Sequence, residues 1–338
     1  MTRNAVPSDG RNSWLEMLRG FAALWVLLHH ANQSVSAFVA PLGHSVWFEN
    51  GYLGVDFFFV LSGFIIAMSS QSLVERGKGW REYLQARLIR IYVPYLPIGV
   101  AMYLLYLLLP GLSEGGRSPG WWTSLTLLPS NSPPALSVAW TLVHEMLFYL
   151  IFLAWFWRRR VFWVCIAVWA SLIIGRSVAG VEMGRAWGYV FSPLNLYFLL
   201  GVGLFHATRS NRIGNAWVLA LLTIAFGVLL VVCGQPNPDR VWVGVAFALM
   251  LVAFTAPGIA ARKAPAALVL LGGASYSIYL VHNPALSLAV RLMRRLPGLG
   301  AWPSFFAIAA MSLAAGVCYW WFFERAALRV VRQKITAA

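Results

Sequence analysis

The sequence predicts an all-α fold: a polytopic transmembrane helix bundle of about ten spans with both termini cytoplasmic. Three observations carry this. Of the 338 residues, 60% are hydrophobic and only 11% charged, about half the charge of an ordinary soluble domain. Apolar runs close to the length that crosses a bilayer as helix recur ten times along the chain. The basic residues fall unevenly between alternate connecting segments, as they do in proteins that follow the positive-inside rule.

The runs lie at 14–37, 51–70, 90–110, 137–157, 161–179, 187–207, 216–233, 241–257, 267–288 and 301–323. The shorter ones are extended by amphipathic flanks, and residues 1–338 read as one membrane domain with no separate soluble domain. With the N-terminus inside, the inner segments carry Arg3, Arg11, Arg19, Arg76, Lys78, Arg81, Arg87, Arg90, Arg158, Arg159, Arg160, Arg209, Arg212, Arg262, Lys263, Arg325, Arg329, Arg332 and Lys334. These are nineteen of the 26 Lys and Arg residues, and the outer segments hold Arg117, Arg176, Arg185, Arg240, Arg291, Arg294 and Arg295. The outer trio Arg291, Arg294 and Arg295 breaks the pattern, and its expected partner is an anionic glycan or a lipid headgroup.

Composition also excludes classes. The net charge of +15 does not mark a nucleic-acid partner, because the basic residues punctuate apolar runs rather than gather on one face. Cys165, Cys233 and Cys318 are far apart and lie in or beside apolar runs, which indicates packing rather than a disulfide framework or a metal site. The first run follows a basic leader without a small-residue cleavage site, so it reads as a retained span. The segment 111–136, with Trp121 and Trp122, is expected to lie along the interface.

Polar residues inside the runs are the candidates for chemistry, since an ionisable group in a membrane helix is costly. From Arg19 to His30 is eleven residues, about three helical turns and about 16.5 Å, so the two share a face, whereas His29 points about 80° away. Histidine serves as a general base near neutral pH. The alternative is that Arg19 marks the membrane surface and His30 bonds another helix. In the second run Asp56 and Gly63 share a stripe, which lets Asp56 orient His30 or, alternatively, cap a helix start.

Arg87 and Arg90 are three apart on one face, suited to phosphate oxygens of a donor or to lipid phosphates. In the fourth run Thr141, Glu145 and Tyr149 form an i, i+4, i+8 polar stripe with His144 off it, which fits either a site or an interhelical network. In the ninth, Ser275, Tyr279 and His282 share a face, and Pro284 is expected to break the helix beside the histidine. His44 and His206 have no such context.

In order, the motifs are Arg19 to His30; Gly54-Val55-Asp56-Phe57-Phe58-Phe59-Val60-Leu61-Ser62-Gly63-Phe64; Arg87-Leu88-Ile89-Arg90 running into Ile91-Tyr92-Val93-Pro94-Tyr95; Trp140-Thr141-Leu142 with Glu145, Phe148 and Tyr149; and Ser275-Tyr276-Ser277-Ile278-Tyr279-Leu280-Val281-His282. Together they resemble the acyltransferase 3 family of integral membrane O-acyltransferases. The resemblance implies a ten-helix enzyme of the bacterial inner membrane. Such an enzyme moves an acyl group, commonly acetyl, from cytoplasmic acyl-CoA to a hydroxyl of a cell-surface or lipid-linked carbohydrate.

It further implies that His30 is essential, that Arg19 is its motif partner, and that Arg87 and Arg90 contact the donor. Trp140, Tyr279, His282 and Ser62 are the expected substrate contacts, with Asp56 or Glu145 orienting His30 or stabilising its charged form. Acyl-CoA enters as a substrate, with no tightly bound cofactor and no metal. The chain resembles the stand-alone type that modifies exopolysaccharide or lipopolysaccharide. The bilayer is a partner, alongside polysaccharide-assembly proteins or a second copy of the chain.

Two routes remain open at this level, in which His30 deprotonates the acceptor or transiently carries the acyl group. A different class also remains open: a non-catalytic transporter in which Asp56, Glu145, His30 and His282 form a proton path for a sugar or lipid carrier.

Overall fold

The computed structural model describes residues 12–43, 46–109, 118–210, 215–295 and 298–337. Arg3, Arg11, His44, Arg117 and Arg212 lie outside the described residues. The described residues are mostly helical and contain no strand. Eleven helices organise them: α1 Ser13–Phe38, α2 Leu53–Glu75, α3 Trp80–Leu108, α4 Trp140–Phe152, α5 Arg159–Ala179, α6 Asn195–Ser210, α7 Asn215–Cys233, α8 Arg240–Thr255, α9 Ala266–Met293, α10 Ala301–Tyr319 and α11 Arg325–Ala337.

A helix occupies each of the ten expected runs. Among the described residues, seven helical segments are long and apolar enough to cross a membrane, while Trp217–Cys233 and Arg240–Thr255 are apolar but shorter. The α1 helix falls outside the seven because Glu16, Arg19, His29, His30 and Asn32 interrupt its apolar sequence. Leu108, Val178 and Phe322 are 74%, 84% and 76% exposed. Outward-facing apolar side chains of this size are what a helix bundle presents to lipid, and they mark an integral membrane protein.

Close helix approach depends on glycine, because lipid leaves packing rather than the hydrophobic effect to hold helices together. A Cβ on Gly20 of α1 would lie 2.7 Å from the Gly272 nitrogen of α9, and one on Gly272 would lie 1.9 Å from the Glu16 carbonyl oxygen. At the second such crossing, α2 meets α6, where a Cβ on Gly63 or Gly201 would lie 2.0 Å from the carbonyl of Phe198 or Val60. The first crossing sets α1 against α9, and with them the two histidine-bearing helices.

Helix α3 starts at Trp80, about two turns before Arg87 and ten residues before the expected run. Gly79 opens it, with its N–H donating to Glu82 at 3.0 Å. Pro94 and Pro97 lie inside it and each removes a backbone donor. Tyrosines of neighbouring helices satisfy carbonyls of this stretch: Tyr276 donates to Ile91 at 3.0 Å and Tyr319 to Pro94 at 2.8 Å.

Pro284 does not break α9, which runs from Ala266 to Met293, contrary to the expected interruption. The irregular backbone lies elsewhere, in a π-helical turn, Trp320–Glu324, between α10 and α11. Such turns widen the helix by one residue and re-aim a side chain. The segment after Gly120 forms a short helix, Trp121–Thr126, with Trp121 and Trp122 exposed and its inner side tied by Tyr95 to the Ser124 carbonyl at 2.6 Å.

Candidate active site

Five helices converge on a chamber of about 160 Å³. Helical spacing decides which side chains reach it. Arg19 comes from α1, Ser62 from α2, and Arg87 and Arg90 from one face of α3. The predicted stripe Thr141, Glu145 and Tyr149 comes from α4, and Ser275, Tyr276 and Tyr279 from α9. Tyr149 donates to Glu145 at 2.5 Å, and the Thr141 and Tyr279 hydroxyls lie 2.9 Å apart.

The three arginines are held differently. Arg87 lies over the rings of Tyr83 and Tyr149 at 5.6 and 5.7 Å and donates to Ser69. Arg90 pairs with Glu324 at 3.1 Å, and the second oxygen of Glu324 accepts from Ser277 at 2.5 Å. Arg19 and Arg90, with Ile65, also line a second cavity of about 1020 Å³. The small chamber and this larger vestibule therefore meet at two arginines. Within the chamber wall the buried Arg87 Nε and Ser275 Oγ have no hydrogen-bond partner among the described residues. Buried polar groups are nearly always satisfied, so these two are where a ligand's polar atoms would complete the wall.

Past Tyr279 the chamber gives way to histidines. The Tyr279 and His282 rings are 5.6 Å apart, and those of His282 and His30 5.0 Å. His30 Nδ1 lies 2.9 Å from the Val26 carbonyl and 3.4 Å from His282 Nε2. His282 Nδ1 lies 2.7 Å from the Tyr279 carbonyl. A carbonyl can only accept, so both rings in their neutral form carry the proton on Nδ1. His282 Nε2 is then an acceptor toward His30, and His30 Nε2 keeps its lone pair. That is the tautomer a base or nucleophile at Nε2 requires. His29 is turned to the Phe48 carbonyl at 3.0 Å, as the helical phase predicts.

Other expected residues fall elsewhere. Asp56 is buried, but its carboxylate faces Arg240 Nε of α8 at 3.7 Å, not His30. The helical stripe was read correctly, but α2 turns that part of it toward α8. Trp140 packs edge-on against His144 at 5.8 Å, outside the chamber lining, and His144 bonds Asn195 at 2.9 Å. Glu145 sits in the chamber with the arginines rather than against His30. Arg291 lines a separate groove with Asn283 and Tyr106, while Arg294 and Arg295 are exposed.

Glu324 was not singled out by sequence, because a carboxylate ending an apolar run and followed by Arg325 reads as an interface residue. The π-helical turn buries it to 1% exposure.

A family model described as "Acyltransferase domain" matches residues 12–321. The chain belongs to the acyltransferase 3 family. Its family activity is the transfer of acyl groups. The protein is 29% identical over 314 residues to "Exopolysaccharide production protein ExoZ" of Rhizobium meliloti (strain 1021), covering 86% of this chain and 94% of the relative. It is 27% identical over 314 residues to "Acyltransferase MdmB" of Streptomyces mycarofaciens, covering 82% and 79%. No solved structure matches. The chamber of this acyltransferase gathers Arg19, Arg87, Arg90, Glu145, Ser62 and Tyr279, six of the residues expected from its motifs, with His30 and His282 behind Tyr279.

Proposed function

We propose that the protein transfers an acyl group, acetyl in the simplest case, from cytoplasmic acyl-CoA to a hydroxyl of a cell-surface or lipid-linked carbohydrate. It does so in the bacterial inner membrane through ten spans, with both termini inside and with polysaccharide-assembly proteins or a second copy as companions. One observation carries the reading. A mostly apolar chamber that carries Arg19, Arg87, Arg90 and Glu145 in its wall, and shares Arg19 and Arg90 with a wide vestibule, leads by way of Tyr279 to a histidine pair in the tautomer needed for base or nucleophilic chemistry.

In this reading the thioester end of the donor enters the chamber, where Arg87 Nε and Ser275 Oγ offer hydrogen bonds to its carbonyl and amide groups. The acceptor oxygen attacks the thioester carbonyl, the carbon–sulfur bond breaks, and CoA leaves as thiolate. His30 Nε2 takes the hydroxyl proton and can return it to the thiolate. In the covalent variant His30 Nε2 attacks first, and the acceptor then displaces the acyl group from nitrogen. In either case His282 acts as a positioning residue, because its Nε2 faces the Nδ1–H that carries the charge when His30 is protonated.

The test is CoA release and acyl mass gain on a surface-glycan fraction, with purified wild type, His30→Ala and His29→Ala. Wild type should release CoA over repeated turnovers only with acceptor, the covalent variant adding at most one CoA per protein without it; His30→Ala should do neither while remaining folded, and His29→Ala should retain most activity. Normal acylation by His30→Ala would overturn the catalytic assignment. Acceptor-driven proton flux without CoA release would place the protein among transporters.

A further inference from the structure

The vestibule has an outer wall that takes no part in the transfer chemistry above. It is built by the π-helical turn Trp320–Glu324 and the first turns of α11. On α11 Arg325, Arg329 and Arg332 recur at i, i+4 and i+7 and so share one face, spanning about 10 Å along the helix. All three line the vestibule together with Trp320 and Trp321. Leu328, 8% exposed, seats the helix beside them.

The Arg325 guanidinium lies 4.9 Å from the Trp320 ring and 4.4 Å from that of Trp321. Arg19 and Arg90 also line this cavity. Five arginines thus meet two carboxylates, Glu16 and Glu324, and Glu324 is already engaged by Arg90 and Ser277.

A positive cavity of about 1020 Å³ is far larger than an acyl thioester needs. It combines guanidinium forks, which suit phosphate oxygens, with indole rings, which suit a planar base. We propose that this wall binds the nucleotide end of acyl-CoA, the Arg325–Arg329–Arg332 row taking its diphosphate and ribose 3′-phosphate and the Trp320–Trp321 pair its adenine.

The proposal rests on the acyl-CoA reading above. It moves the phosphate contacts from Arg87 and Arg90 to α11, leaving Arg87 to the narrow chamber and Arg90 to the neck between the two cavities. An arginine-lined helix face would also suit lipid headgroups. The row lines a concavity that shares Arg19, Ile65 and Arg90 with the chamber, and this adjacency favours one ligand reaching from the row toward the chamber over a lipid headgroup.

The experiment is titration calorimetry of CoA and of 3′-dephospho-CoA against the full chain in zwitterionic nanodiscs, for wild type and for Arg325→Ala, Arg329→Ala and Arg332→Ala. A charge-assisted hydrogen bond is worth about tenfold or more in affinity, so wild type should prefer CoA by about that factor. At least one variant should lose about tenfold in CoA affinity and most of the preference, and rising salt should weaken CoA binding to wild type.

A misfolded variant would weaken both ligands together, so the ratio reports the contact itself. Unchanged preference in all three variants overturns the proposal. So does a change confined to binding of anionic vesicles, which would assign the row to lipid. Wild type that binds neither ligand would instead overturn the acyl-CoA reading on which the proposal stands.

Discussion

The Arg90–Glu324 pair bridges α3 and the π-helical turn, and its coupling can be worked from geometry. The charges are 3.1 Å apart, with Glu324 1% and Arg90 29% exposed at the side chain. Coulomb's law gives about 5 kcal/mol at an effective dielectric of about 20 and about 1.3 kcal/mol in bulk water. Arg90 opens to the vestibule, so solvent screens one partner, and a coupling of about 1.5–3 kcal/mol is expected.

Ser277 adds a hydrogen bond to the carboxylate at 2.5 Å. Glu324→Gln keeps the volume and that bond but loses the charge, whereas Glu324→Ala also leaves the Ser277 hydroxyl and the guanidinium without their partner. The assay is a double-mutant cycle of Arg90→Gln and Glu324→Gln, read as unfolding midpoints and slopes in detergent micelles at fixed salt. A coupling below about 0.5 kcal/mol would refute the reasoning that this ion pair ties α3 to the π-helical turn.

Three further outcomes are expected. His282→Ala should lower kcat by about tenfold to a hundredfold with little change in KM for the donor, because it removes the acceptor facing His30 Nδ1; a pure KM effect in steady-state kinetics would contradict that role. Gly272→Leu should abolish recovery of monodisperse protein by size-exclusion chromatography, since even a Cβ there meets the Glu16 carbonyl at 1.9 Å, whereas Gly227→Ala, with nothing within 4 Å, should be neutral. Asp56→Asn should leave acyl transfer within about tenfold of wild type and should lose its effect in an Arg240→Gln background, because the two face each other; abolished transfer in a folded Asp56→Asn protein would restore a direct role at His30.

Much of the site was legible before any fold was known, and the reason is helical phase. Three or four residues per turn put Thr141, Glu145 and Tyr149 on one stripe, Arg87 and Arg90 on another, and Ser275 and Tyr279 on a third, and all seven line one chamber. The same phase separated His30 from His29. It could not say which helix each stripe would meet. Asp56 lies on a stripe that reads as a site, yet the partner supplied at that height is Arg240 of α8. Trp140 precedes the chamber-lining Thr141 by one residue, and that rotation is enough to send it to His144 instead.

Composition, apolar run length and charge bias thus determined that this is a helical membrane protein, and the motif residues determined its family, because those properties are local to each segment. The pairing of α1 with α9 through Gly20 and Gly272, the burial of Glu324 by a π-helical turn, and the joining of a small chamber to a basic vestibule were decided only in the folded chain. Each depends on close approach between segments distant in sequence. Phase along one helix specifies a face, but only packing specifies what that face touches.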